Sequence, residues 1–300
     1  IRGYAREREH EEIPPVEREA ALRRLLAGYL HTAAAARIAV DPNARLVPVD
    51  DIDVDRSAAV TFRTRDEGMA WYVLERSNLI ESVQAAADHG HADIAWRFAL
   101  VLLSFFYLTK QWEDWVSTHR IALDATTTAG DLEGQAHALN GLGVAHSDLH
   151  EWDEAISCHE RAAELFSTIG NTRDGAWNLN NVGVVYDNLG RFDEALRCYQ
   201  AALDSFRVVG DRRGEGLALN NLGDVYRQRG DYAEAADHLG EALSVQDDAG
   251  DHDAKRFTLG SLAHLWQATG DHDRAVSAYH DALLISRDLD DRRRVASLLH

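Results

Sequence analysis

Gly130, Gly170, Gly210 and Gly250 stand 40 residues apart, and each is followed by Asp or Asn. A fixed period of that length marks a chain built from stacked supersecondary units, each of which can bury its apolar face only against its neighbours. Residues 131–170, 171–210, 211–250 and 251–290 align with no insertion or deletion, and Gly190, Gly230 and Gly270 fall midway between the first set. Glycine relieves the left-handed residue that ends a helix, and Asp or Asn accepts a hydrogen bond from the open N–H groups that begin the next. Each unit is therefore predicted to be helix, tight turn, helix, tight turn, which makes the chain all-α with antiparallel helix pairs.

Within each unit apolar residues recur at intervals of three and four, as on a helix with one buried face. Leu139, Leu179, Leu219 and Leu259 share one column, and Leu142, Val182, Leu222 and Leu262 share the next. Small residues are columnar too: Gly143, Gly183, Gly223 and Ala263 in the first helix, and Ala155, Ala195, Ala235 and Ala275 in the second. Small side chains let two helices approach closely where they cross. His146, Tyr186, Tyr226 and Trp266 follow three residues after the first small column and fill the remaining space.

The residues Leu179, Val182, Gly183, Tyr186, Gly190, Ala195, Tyr199 and Ala202 carry a resemblance to the tetratricopeptide repeat. The 40-residue unit is longer than the usual 34 and resembles the long-helix variant of kinesin light chains and of a class of actinobacterial regulators. This resemblance implies a right-handed superhelical solenoid whose first helices line a concave side. Upstream, Gly90, Leu103, Phe106, Trp112 and Ala122 keep the register, so degenerate repeats are expected over 67–130, with a helix of an earlier one at Trp71, Leu74, Asn78 and Leu79. Residues 1–66 read as a Pro-started helix and an Asp- and Pro-containing loop. Residues 291–300 read as the start of a truncated repeat.

Composition narrows the function. A formal net charge of −19 opposes the clustered Lys and Arg through which proteins grip nucleic acid. Lys110 and Lys255 are the only lysines and neither follows a Gly, so no Gly-x-x-x-x-Gly-Lys-[Ser/Thr] phosphate loop occurs. No run reaches the roughly 20 apolar residues of a membrane span and no basic-then-apolar signal opens the sequence, which predicts a cytoplasmic protein. The chain opens at Ile1 and its single Met is Met69, so a segment of something longer is expected.

Tyr4-Ala5-Arg6-Glu7-Arg8, the run Ala20 to Ala33, Trp71 to Leu79 and Ala95-Trp96-Arg97 together resemble the end of the nucleotide-binding (NB-ARC) module, and its junction with the repeats, in actinobacterial STAND transcriptional regulators of the antibiotic-regulatory type. That resemblance implies a sensor region of a signal-transducing regulator. It also implies that ATP or ADP binds only in an upstream module, with no cofactor in this segment.

Candidate site residues come from the helix interiors. Asn is unfavourable there because its side chain competes for backbone groups, yet Asn140, Asn180 and Asn220 share one column and Asn181 and Asn221 the next. By the family register these face the groove, where each offers a donor and an acceptor to the backbone of an extended peptide. Hydrogen bonding between neighbouring repeats is the other role that fits. The same register places Trp177, Leu217 and Phe257 on one groove edge, Val184, Asp224 and His264 further along, and Asp187 and Arg227 deeper. For Trp177, burial against the next repeat fits equally.

His146 and His150 have a metal-chelating spacing, but the repeat explains them as an aromatic substitute and a turn residue, so no metal is expected. Asp50, Asp51, Asp53 and Asp55 lack the Gly and bidentate Glu of an EF-hand loop. Cys158 and Cys198 occupy equivalent repeat positions and read as packing residues. No nucleophile motif is present, so no catalytic residue is assigned. The function expected is a non-catalytic domain that binds a peptide or protein in its groove, without direct contact to nucleic acid or membrane. A free-standing adaptor, or an enzyme acting on a cationic small molecule, are the other classes considered.

Overall fold

The computed structural model describes residues 14–42, 47–52 and 60–298, with side chains described through Arg287 in the last helix. Left-handed residues punctuate it about every 20 positions: Gly90, Lys110, Gly130, His150, Gly170, Gly190, Gly210, Gly230, Gly250 and Gly270 all have φ between +57° and +87°. Lys110 and His150 occupy the column held elsewhere by Gly190, Gly230 and Gly270. The intervening stretches are helices, and among the described residues no strand occurs.

The chain forms two units, Ile1–Leu149 and His150–His300. The first holds α1 (Pro15–Val40), α2 (Arg65–Asp88), α3 (Ala92–Thr109), α4 (Trp112–Ala129) and α5 (Leu132–Asp148). The second holds α6 (Trp152–Thr168), α7 (Thr172–Asn188), α8 (Phe192–Val209), α9 (Arg212–Arg229), α10 (Tyr232–Ala249), α11 (His252–Thr269) and α12 (His272–Leu298). The repeat at 131–170 thus contributes α5 to the first unit and α6 to the second. His146 and His150 likewise fall one in each unit.

In the first unit α3 is the core. Its residues Ile94, Phe98, Val101, Leu102, Phe105 and Phe106 are fully buried. Among the described residues it is the one helix long and apolar enough to cross a membrane, and most of it is buried inside the protein. Tyr72 on α2 fixes the arrangement, its hydroxyl lying 2.8 Å from the Ala33 carbonyl of α1 and 2.9 Å from the Val101 carbonyl of α3. Arg97 ties the acidic loop to α3, donating to the Pro48 carbonyl at 2.6 Å and to Asp51 at 2.7 Å. One of the loop's four aspartates is therefore spent on an ion pair, and Asp53 and Asp55 lie outside the described residues, as do residues 4–8 of the expected junction. His119 on α4 is buried, donates from Nδ1 to the Trp115 carbonyl at 2.9 Å, and is pressed so closely to Gly141 of α5 that a Cβ there would lie 2.2 Å from its ring.

In the second unit the first helices α7, α9 and α11 alternate with the second helices α6, α8, α10 and α12. Asn171, Asp211 and Asp251 cap the first helices, accepting from the N–H of Asp174, Gly214 and Ala254 at 3.2, 3.0 and 3.0 Å. Glu151, Arg191 and Asp231, which precede the second helices α6, α8 and α10, make no side-chain cap bond. Within each pair the small column is where the helices meet. A Cβ on Gly183 would lie 2.5 Å from the Tyr199 ring, and one on Gly223 would lie 2.5 Å from Leu239 Cγ. Both distances are well inside van der Waals contact, so glycine is what permits the crossing. Cys158 and Cys198 sit half-buried on α6 and α8, and burial pushes the Cys198 thiol up.

The boundary expected at 290 does not interrupt the backbone: α12 runs through it to Leu298. Asp290 stands where Gly130, Gly170, Gly210 and Gly250 stand, and an L-residue enters the left-handed region only at a cost of roughly 1–2 kcal/mol. The helix therefore continues where a glycine would have ended it.

Candidate functional site

The alternation places the Asn columns of the second unit on α7 and α9, where side chains one repeat apart meet, and Ser261 of α11 takes the next place in the column. Asn221 on α9 donates to Asn180 on α7 at 3.0 Å, and Asn180 is buried. That bond links successive first helices, so this pair serves the stack. Asn181 lies half-buried beside Asn180, and Asn140 lies on α5 in the first unit.

Further along the same face Asp224 of α9 gathers three donors: Ser261 Oγ of α11 at 2.8 Å, Arg227 Nε at 3.2 Å and, more distantly, Asn220 Nδ2 at 3.5 Å. Asn220 Oδ1 receives no hydrogen bond. Asp187 at the end of α7 accepts from Gln228 Nε2 at 3.1 Å. Burial raises the Asp187 carboxyl, the Gln228 bond opposes it, and the Asp224 charge adds to the rise. Tyr199 lies beneath, its phenol pushed up by burial and by the charges of Asp187 and Asp224. Both carboxylates therefore sit close to one buried ring.

The apolar edge is less uniform than its column. Trp177 is engaged with its own scaffold: its indole N–H donates to the Asp211 carboxylate at 3.1 Å and its ring meets Phe206 edge-on at 5.1 Å. Asp211 is thus cap and anchor at once. Phe257 stands 59% exposed, with the Arg256 guanidinium 3.9 Å over its ring, and Val184 is 37% exposed. His264 pairs with the Tyr279 hydroxyl at 3.0 Å.

Two residues of this face, Ser261 and Gln228, did not emerge from the sequence. Ser261 continues the Asn181 and Asn221 column, and Gln228 continues the column of Asn188; reading each column across polar substitutions would have found both. A buried polar pair was also missed: His159 Nδ1 donates to Asn178 Oδ1 at 2.9 Å, and Asn178 Nδ2 returns a bond to the His159 carbonyl at 2.8 Å.

The face offers a line of amide, carboxylate, guanidinium and hydroxyl groups with a partly exposed apolar flank. That combination suits recognition of a chain with its own N–H and C=O groups.

A sequence profile of the tetratricopeptide repeat matches residues 134–208, 176–248 and 216–288. The Regulatory protein AfsR of Streptomyces griseus is 28% identical over 148 residues, which amount to 49% of this chain and 15% of that protein. The chain therefore spans a small part of that relative. Among solved structures, BtubC (BKLC) from P. vanneervenii superposes with a TM-score of 0.63 at 20% identity, covering 74% of this chain and 92% of that one. The Rap conjugation gene regulator of the plasmid pLS20, in complex with the Phr* peptide, superposes with a TM-score of 0.55 at 19% identity, covering 69% and 57%.

Proposed function

Since the chain belongs to the tetratricopeptide repeat family, we propose that it is a non-catalytic binding module that holds an extended peptide or protein segment against α7, α9 and α11, as the sensor region of a signal-transducing regulator. The observation that carries this reading is the polar track from Asn181 to Ser261, which crosses the first helices α7, α9 and α11 with Val184 exposed beside it. An extended strand has backbone groups at a regular rise and needs such a line of partners rather than one deep pocket. The likeness of fold to a regulator solved with a peptide supports the ligand class, and the likeness in sequence to AfsR supports the regulatory context.

The test is retention of peptides from a random pool by the immobilised chain, compared with Val184→Arg. Val184 projects from the face without carrying a scaffold bond, so the variant should melt within about 0.5 kcal/mol of the original, as surface substitutions usually do. It should retain at least about tenfold less peptide, the equivalent of 1.4 kcal/mol. Equal retention by both proteins, or none by the original, would count against the proposal.

A further inference from the structure

We infer that the outer side of α12 is a docking site for an amphipathic helix of a partner protein, one built like α9 and carrying an acidic residue to meet Arg287. The inference goes beyond the peptide-binding reading and does not depend on it.

It follows from what the same columns do on the two preceding second helices. Tyr199, Leu203 and Arg207 line one side of α8 at the spacing of a helical stripe. Tyr199 and Leu203 are each 1% exposed and share a core with Leu219 and Leu222 of α9. Arg207 Nε lies 3.1 Å from the Glu215 carboxylate of that helix. On α10 the same places hold Leu239, Leu243 and Asp247. Leu239 and Leu243 pack with Leu262 and Leu265 of α11, and Asp247 meets Lys255 of α11 at 2.5 Å. In both cases the next first helix covers the stripe and closes it with an ion pair, the two charges being exchanged from one interface to the other.

On α12 these places hold Tyr279, Leu283 and Arg287. Here Tyr279 is 40% exposed, Leu283 is 48% exposed, and Val276, one turn before Tyr279, is 68% exposed. Contiguous apolar side chains left in water mark an interaction site. The residues after 290 do not supply the cover, because α12 runs on to Leu298. Val295, in the place of Glu215 and Lys255, also carries no charge for Arg287. What the stripe fits is a helix with leucines three apart, as Leu219 and Leu222 are on α9. Arg287 selects an acidic residue one turn before them, as Arg207 does with Glu215.

A fluorescently labelled peptide of the α9 sequence, Arg212–Arg229, titrated into the whole chain and followed by anisotropy, tests this. The peptide should bind saturably. Leu283→Glu, a substitution at an exposed position that leaves the melting curve in place, should weaken binding at least about tenfold, as loss of a central anchor does. Arg287→Glu should weaken it about threefold, the scale of an exposed ion pair. The same peptide with Glu215→Lys should recover that loss, because the exchanged pair already stands between Asp247 and Lys255. Absence of binding, or binding that Leu283→Glu leaves unchanged, would overturn the proposal. Failure of the exchanged peptide to recover binding would strike out the acidic residue of the partner. Reversible self-association of the chain, abolished by Leu283→Glu, would overturn the proposal by giving the stripe to a second copy.

Discussion

Acidification from pH 7 to pH 5 is expected to cost the chain about 2 kcal/mol for each of two buried histidines, one in each unit. Burial lowers His119 and His159 to about 4, below the ordinary value near 6.5. Opposing hydrogen bonds, to the Trp115 carbonyl and to Asn178 respectively, recover only part. A depressed histidine means that the unfolded chain takes up a proton that the folded chain refuses. The stability of the neutral form is therefore complete above pH 6.5 and is lost as the pH falls toward 4. At pH 5 the difference is about 1.5 pH units of linkage, or about 2 kcal/mol per site at 1.36 kcal/mol per unit. His238, lowered chiefly by burial, acts in the same direction. The carboxylates lowered by ion pairs, such as Asp93 beside Arg23, lose their contribution only below this window.

Urea unfolding followed by circular dichroism at several pH values measures the loss. The pair His159→Leu with Asn178→Ala removes one titration and its partner together, using residue types already present in those columns at Leu239 and Ala218. That variant should lose about 2 kcal/mol less between pH 7 and 5. A total loss below about 1 kcal/mol in the original, or an unchanged slope in the double variant, would show that the two rings are not held neutral by burial.

Tyr199→Ala is expected to destabilise the second unit by about 3–5 kcal/mol, the range for emptying a buried aromatic site. Tyr199 is 1% exposed and lies with Leu203, Phe206, Leu219 and Leu222 in the core shared by α8 and α9. Its ring also occupies the notch left by Gly183, which makes the two positions interdependent. Gly183→Ala alone should cost about 1–3 kcal/mol, because its methyl meets the ring. Added to Tyr199→Ala it should instead stabilise by up to about 1 kcal/mol, the usual gain of Ala over Gly inside a helix. The cycle therefore predicts a coupling of about 1–4 kcal/mol. Simple addition of the two single effects would mean that the glycine is there for some reason other than the ring.

Much of this fold is legible in the residues because each turn has a chemical requirement that few side chains meet. The Gly column and the Asp and Asn caps mark first helices that the structure starts at Thr172, Arg212 and His252. Lys110 escaped that reading, because only a structure shows a lysine taking the left-handed turn that glycine takes at 190, 230 and 270. There Lys110 Nζ lies 4.3 Å from the Tyr107 ring and 5.0 Å from the Trp112 ring, contacts that offset part of the backbone cost. Asp290 is the converse: the register predicts a break, but without a glycine the helix runs on.

The site is less legible than the scaffold. Columns tell which residues share a face, but they do not tell which polar groups are already spent. For Asn180 and Asn221 the columns fit both ligand binding and bonding between repeats, and the structure bonds them to each other across a separation of 41 residues. Trp177 reads equally as a groove edge and as packed against the next repeat, and its N–H is committed to Asp211, 34 residues on. Asn178 carried a usable signal, since it replaces the Ala138 and Ala218 of its column just as His159 replaces Tyr199 and Leu239. Two polar departures in neighbouring columns of an apolar core imply that each satisfies the other.

On the proposed function, the face of α7, α9 and α11 holds an extended peptide. Side-chain amide NMR of the asparagines, recorded as a retained peptide is titrated in, tests it most directly. The amide signals of Asn181, Asn220 and Asn221 are expected to shift together and saturate at one stoichiometric equivalent, while those of Asn178, in the core between α6 and α7, stay in place. Saturating shifts confined to residues of α8 and α10, with the Asn181, Asn220 and Asn221 signals unmoved, would contradict it.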